Sequence, residues 1–230
     1  VEELFTLQCQ RFMELSFLED YKKASSLASK WGKKFFVGMP RILPREHQPY
    51  WEKLLLALAT FPEEERPGAV YVHGLNEARL VGRLTDFPLV PDFSLGIMNG
   101  ENIRFWEEHG AAAITLSPEV TTAEAGELAG LSCLPVECII HGRMELMVSK
   151  YCPVGSFLTE QAPGVCPLAG ADVASRSCAR TSTSCALECQ KREYAIKDRK
   201  GILFPLRMDA FCQMHILNSR PLSMVPFVQK

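Results

Sequence analysis

The sequence predicts an α/β fold, either an open parallel sheet or part of a (β/α) barrel, that gives way to a small cysteine-rich lobe with a β-hairpin. Three observations predict it. Between residues 30 and 141 short apolar runs alternate with longer amphipathic ones, the pattern of parallel strands joined by helices. Eight of the nine cysteines fall between Cys133 and Cys212, a local concentration and not a framework for the whole chain. After residue 150 the composition turns to Ser, Thr, Ala, Gly and Pro. The expected division is residues 1–150 and residues 151–230.

The elements follow in order. Val1 to Lys30 reads as an amphipathic helix, with Leu4, Phe5, Phe12, Leu15 and Phe17 among charged neighbours. Phe35–Gly38, Ala69–His73, Leu95–Met98, Ala112–Leu116 and Val136–Ile140 read as strands, being short, β-branched or aromatic, and bounded by Gly or Pro. Helices are expected at Gln48 to Phe61, Asn99 to His109 and Thr121 to Leu131, the last with Thr121 and Thr122 as capping residues ahead of Glu124. Ser156 to Ser184 is too long for an ordinary connection and reads as an insertion or a ligand-bearing loop. Glu193–Lys197 and Ile202–Leu206 form a hairpin about the turn Asp198–Gly201, and Asp209 to Asn218 reads as a helix.

At 230 residues and 47% hydrophobic content the chain can bury a sizeable core. A net charge of −2 gives no overall attraction to nucleic acid or membranes, so such partners need a local patch. No run of about 18 apolar residues and no signal-peptide pattern are present, which predicts a cytoplasmic protein without a membrane span. The chain does not begin with Met and reads as a fragment of something longer. No Gly-x-Gly-x-x-Gly or Gly-x-x-x-x-Gly-Lys follows a strand, which leaves the dinucleotide and P-loop readings without support.

The strand ends carry polar residues: His73, Asn99, Ser117, Glu119, His141 and Arg143. In a barrel they would gather where chemistry is usually found; otherwise they are ordinary loop polars. Arg143 could hold a carboxylate or phosphate in a fork, and His141 could move a proton near neutral pH. The simpler alternatives are a salt bridge for Arg143 and a backbone-bonded loop residue for His141. Glu137 faces either way according to strand register.

A metal or cluster needs several thiolates converging on one point. Cys185-Ala-Leu-Glu-Cys189 is a close pair, and Cys152 and Cys212 could supply two more. Four thiolates suit structural zinc or a [4Fe–4S] cluster, and spacing alone does not choose between them. Incidental buried thiols are the remaining alternative.

Leu134-Pro-Val-Glu-Cys-Ile-Ile-His-Gly-Arg through Tyr151-Cys-Pro-Val-Gly155, then Cys185-x3-Cys189, Tyr194-Ala-Ile-Lys-Asp-Arg-Lys-Gly201, Phe204-Pro-Leu, Cys212 and Asn218-Ser-Arg-Pro-Leu222 resemble the collagenase-like peptidase family U32. Met39-Pro-Arg-Ile, Met98-Asn and Leu116-Ser-Pro-Glu119 fit the same family. The resemblance implies a partial TIM-type (β/α) barrel, the later strands only, in residues 1–150, with a cluster-binding lobe in 151–230. The missing first strands would come from a longer chain.

It further implies a [4Fe–4S] cluster on Cys152, Cys185, Cys189 and Cys212; this sequence departs from the family in the longer loop before Cys185, which leaves Cys166 as a substitute for Cys185. Family members of this kind add a hydroxyl group without molecular oxygen to a ribosomal or transfer RNA base or to a quinone precursor, with prephenate as oxygen donor in the RNA cases; others are labelled peptidases. His141, Arg143 and Glu119 are the expected catalytic residues. Lys191, Arg192, Lys197, Arg199, Lys200 and Arg207 are a basic concentration suited to RNA phosphates, although Glu188, Glu193, Asp198 and Asp209 are interleaved. Against hydrolysis, no Gly-x-Ser-x-Gly or His-Glu-x-x-His is found, and cysteines held as ligands cannot be nucleophiles. A truncated, non-catalytic metal-binding module is the third alternative.

Overall fold

The computed structural model describes residues 17–154, 188–209 and 213–228. The described residues fall into two compact units, one ending at Ile139 and one beginning at Ile140. The division lies ahead of residue 150 because the short strands after Ile139 pair with the C-terminal part of the chain.

The first unit is built of parallel β-α repeats. Helix α1 (17–30) leads into β1 (Val37–Gly38), and α2 (Gln48–Ala59) into β2 (Val70–Val72). Then follow α3 (Leu75–Leu84), β3 (Leu89–Pro91), α4 (Gly100–Glu108), β4 (Ile114–Thr115), α5 (Thr122–Leu131) and β5 (Val136–Glu137). Strands β1, β2 and β3 pair in parallel and in chain order, as do β4 and β5. A parallel bridge between Leu89 and Ala111 joins the two sets.

Alternation along these strands separates two faces. Val37, Val70, Val72 and Ile114 are buried on one, along with Leu54, Leu55 and Leu58 of α2, Val81 of α3 and Ile103 of α4. Full burial of a leucine of this kind stabilises the fold by about 1.5–3 kcal/mol. Tyr21 of α1 packs edge-on against Phe35 and Phe61 and donates its hydroxyl to the Glu65 carbonyl at 2.6 Å. Helix α5 begins in a capping box: Thr121 Oγ1 accepts from the Glu124 N–H, and the Glu124 carboxylate accepts from the Thr121 N–H at 2.7 Å.

Three expectations are corrected. The strand expected at Leu95–Met98 is instead Leu89–Pro91, followed by a 3-10 turn at Phe93–Leu95. Pro88 and Pro91 obscure it in the sequence, yet the Pro88 carbonyl accepts from Val70 N–H at 2.8 Å, so only a carbonyl is needed there. Helix α3 was not expected at all: Gly74 offers no side-chain cap and Gly82 interrupts its pattern. Asp209 to Asn218, expected to be helical, contains strand β10 (Met214–Leu217), held by partners on both sides.

The second unit pairs β6 (His141–Gly142) with β11 (Leu222–Ser223) and contains a four-stranded antiparallel sheet in the order β7-β10-β9-β8, with β7 at Glu145–Ser149, β8 at Tyr194–Lys197 and β9 at Leu203–Met208. The expected hairpin is β8–β9. Asp198 Oδ1 accepts from the N–H groups of Lys200 and Ile202, both at 2.8 Å, and Gly201 takes φ +81° to close the turn. The fold is thus mixed α/β, with parallel β-α repeats in one unit and an antiparallel sheet in the other. No helix among the described residues is long and apolar enough to cross a membrane.

Candidate functional site

Two regions concentrate chemistry, one in each unit. In the first, the face of β2–β5 opposite the apolar one is polar at the strands' C-terminal ends. Register sets Thr115 beside Glu137, and both side chains meet: Thr115 Oγ1 donates to Glu137 Oε2 at 3.1 Å. Tyr71 donates to the same carboxylate, 2.9 Å from Oε2 and 3.1 Å from Oε1. Burial, then the Glu137 hydrogen bond, and then the charges of Glu137 and Asp92 raise the Tyr71 phenol to about 12, so it stays a donor at neutral pH.

On this face, just beyond Tyr71, His73 Nδ1 lies 3.0 Å from Asp92 Oδ2 and 3.0 Å from Ser94 Oγ. One N–H cannot point at both, and the Asp92 oxygen is left without an aligned hydrogen bond. Because the Asp92 carboxylate only accepts, it favours a proton on Nδ1.

Glu77 holds the β2–α3 turn beneath these residues. It is 1% exposed, and its Oε2 accepts from the His73 N–H at 2.7 Å. Burial raises its carboxyl to about 7, against the lowering effect of the His73 and Gly74 backbone N–H groups and the His73 charge. It replaces the missing side-chain cap of α3. A Glu three residues beyond Gly74, with Leu75, Leu80, Val81 and Leu84 at helical spacing, was the available sequence signal.

In the second unit the strand register brings four chain positions to one end of the sheet. Ser149 pairs with Met214, Met214 with Met208, and Tyr194 with Leu206. The end of β7, the start of β10, the end of β9 and the start of β8 therefore lie together. Cys152 follows β7 and is buried at 8% exposure; Cys189 precedes β8 and is half-buried. Asp209 and Gln213 bracket the β9–β10 connection, closed by the Asp209 N–H to Gln213 carbonyl bond at 3.0 Å and the Gln213 N–H to Asp209 Oδ1 bond at 2.7 Å. Nearby on β10, His215 contacts Glu145 through Nδ1 and lies 3.6 Å from Asp209 through Nε2. Asp209 first, then Glu145, raise His215 to about 9 against the opposing effect of burial.

The other expected residues are dispersed. Cys185, Cys212 and Cys166 lie outside the described residues, and among the described residues no group of three or more His, Cys, Asp or Glu side chains is arranged to hold a metal ion. His141 is exposed on β6. Arg143 Nη1 donates to the Asn218 carbonyl at 2.9 Å and to that of Ser219, fastening the turn after β10. Glu119 is exposed within the β4–α5 connection, its N–H bonded to Ser117 Oγ at 3.3 Å. The basic residues of the hairpin are exposed, and Arg207 pairs with Glu193 at 2.7 Å.

Among curated proteins no relative matches the chain. Among solved structures a match is "The Structure of the U32 Peptidase Mk0906", at 15% sequence identity and a TM-score of 0.43, covering 53% of this chain and 51% of that one. The chain thus spans about half the length of that protein. The family model described as peptidase family U32 matches residues 4–230, taking in the β-α repeats, the polar strand ends and the cysteine-bearing sheet alike. On that match the chain belongs to peptidase family U32.

Proposed function

We propose that Cys152, Cys185, Cys189 and Cys212 hold a [4Fe–4S] cluster and that the chain is the later part of a (β/α)-barrel enzyme hydroxylating a ribosomal or transfer RNA base without molecular oxygen. One observation carries this reading: register gathers the end of β7, both ends of the β9–β10 connection and the start of β8 at one end of the antiparallel sheet. Cys152 and Cys189 adjoin two of those positions, and Cys212 falls between Asp209 and Gln213 in the sequence. Burial of Cys152 fits a ligand better than an exposed redox thiol. Structural zinc on the same four thiolates is the alternative that metal analysis separates.

When bound, such a cluster supplies redox or Lewis-acid chemistry. The exposed cations of the β8–β9 hairpin supply phosphate contacts, and His141 is free to solvent for proton transfer. With prephenate as donor of a hydroxyl at the oxidation level of water, replacing a base C–H by C–OH also needs a two-electron acceptor, a role assigned to an external redox protein. The hydrolytic alternative gains nothing from Ser94, His73 and Asp92, because serine and aspartate share Nδ1 and a relay needs them on opposite ring nitrogens.

The test is nucleoside mass spectrometry of RNA from cells with and without the gene. A nucleoside heavier by one oxygen, lost on deletion and on Cys152→Ala, is expected. Identical nucleoside profiles would refute the hydroxylase reading.

A further inference from the structure

We infer that the connections at the N-terminal ends of β1 and β2 form a two-fold interface between two copies of this chain, with Trp31 as its anchor and the lysines of each copy against the glutamates of the other. The inference rests on the first unit alone and is independent of the cluster and RNA readings.

Helix α1 ends in a turn that displays Trp31. The Lys33 N–H donates back to the Ala28 carbonyl and the Gly32 N–H to that of Ser29, both at 2.9 Å, with Gly32 at φ +61°. These bonds hold the chain just beyond Trp31, and its own N–H is bonded to the Ala28 carbonyl at 3.0 Å. The residue is nevertheless 76% exposed, and Leu27, one turn earlier, is 58% exposed. A tryptophan presented by a held turn loses little freedom when covered and removes a large area from water, which is why this residue recurs at the energetic centres of interfaces.

The α1–β1 connection lies beside the α2–β2 connection. The Gly68 N–H donates to the Phe35 carbonyl at 2.9 Å, and Tyr21 packs edge-on against both Phe35 and Phe61. A Cβ at Gly68 would come within 2.7 Å of Lys34 Cβ, so the absent side chain lets the two connections close up. Their charges are sorted by sign. Lys30, Lys33 and Lys34 belong to the end of α1 and the first connection, and Glu63, Glu64 and Glu65 to the second. Among the described residues none of these six side chains enters an ion pair. Arg66 follows the glutamates, but its Nε–H is held by the Phe61 carbonyl at 2.9 Å.

Two opposite fields side by side select the partner. The glutamates oppose RNA phosphates and an anionic membrane, and the lysines oppose a cationic surface. A second copy turned about a two-fold axis meets both fields at once: each basic set faces the other copy's acidic set, and every contact is made twice. Trp31 and Leu27 supply the apolar surface withdrawn from water.

The full chain is examined by sedimentation equilibrium from micromolar to millimolar concentration. Expected is a dimer that dissociates on dilution. Trp31→Ser should raise its dissociation constant about 30-fold or more, with circular dichroism and melting unchanged. Lys33→Glu combined with Lys34→Glu should give a monomer, as should Glu63→Lys combined with Glu64→Lys, because like charges then meet across the axis. Mixing these two charge variants should restore association as a heterodimer, in which every pair is again of opposite sign. Should Trp31→Ser fail to fold, the mixing experiment decides alone, since only folded chains can recover the contact.

A wild-type monomer at millimolar concentration, a dimer that the folded Trp31→Ser variant or the charge variants leave as strong, or charge variants that stay apart when mixed would overturn the inference. So would a monomer that binds an oligonucleotide or an anionic vesicle through Lys33 and Lys34.

Discussion

Glu77 makes a stability prediction whose size follows from its surroundings. A carboxyl 1% exposed, with its pKa raised by burial from 4.5 to about 7, binds a proton in the folded state over a range where the unfolded chain has released it. Stability is therefore highest at low pH in that window and falls as pH rises from 4.5 towards 7, because the folded protein must come to hold a buried charge. From about pH 5 to about pH 8 the loss works out at about 2.5 kcal/mol. Glu77→Gln keeps the acceptor oxygen for the His73 N–H and cannot ionise. Urea unfolding of both proteins across this range should show the wild type losing that stability relative to the variant. If the two lose stability in parallel, Glu77 is not the titrating group and the account of the β2–α3 turn fails.

His215 carries the opposite dependence. Its pKa is raised from 6.5 to about 9, chiefly by Asp209 and Glu145, so its stabilising contribution is whole below about pH 6.5 and disappears as pH rises through about 9. His215→Gln should unfold more readily than wild type at about pH 6 and match it at about pH 10 in the same urea assay. Thr121→Ala breaks the capping box of α5 and should cost about 0.5–2 kcal/mol, read from the urea midpoint. Ile114 is fully buried in the cluster with Ile97, Ile103, Trp106 and Leu128, and Ile114→Ala should cost about 2–5 kcal/mol by the same measurement.

The sequence made the repeating strand-and-helix alternation of the first unit legible because each strand is an apolar run bounded by Gly or Pro. It misled where local pattern and partner disagree. Pro88 and Pro91 argue against a strand, yet β3 is paired through groups that proline retains. Residues 214–217 satisfy a helical pattern as readily as an extended one, and pairing with β7 and β9 decides between them.

The polar strand ends were partly visible. His73 stood out as a strand-end residue, but Glu137 could not be oriented from sequence, since a shift of one residue in register turns its side chain to the opposite face. Its partners Tyr71 and Thr115 looked like ordinary strand residues. Arg143, legible as an anion-binding cation, spends hydrogen bonds on backbone carbonyls that no sequence spacing reveals. The common end shared by the cysteine-bearing segments likewise depends on strand order: β10 inserts between β7 and β9, although β7 is far from both along the chain.

The most direct test of the account is iron and acid-labile sulfide analysis of the anaerobically purified chain, with its visible spectrum. The account predicts a brown protein with about four iron and four sulfide per chain, bleached by Cys152→Ala or Cys189→Ala and unchanged by Cys133→Ala. A colourless protein with one tightly held zinc, or a Cys152→Ala variant that keeps the wild-type iron content and spectrum, would contradict it.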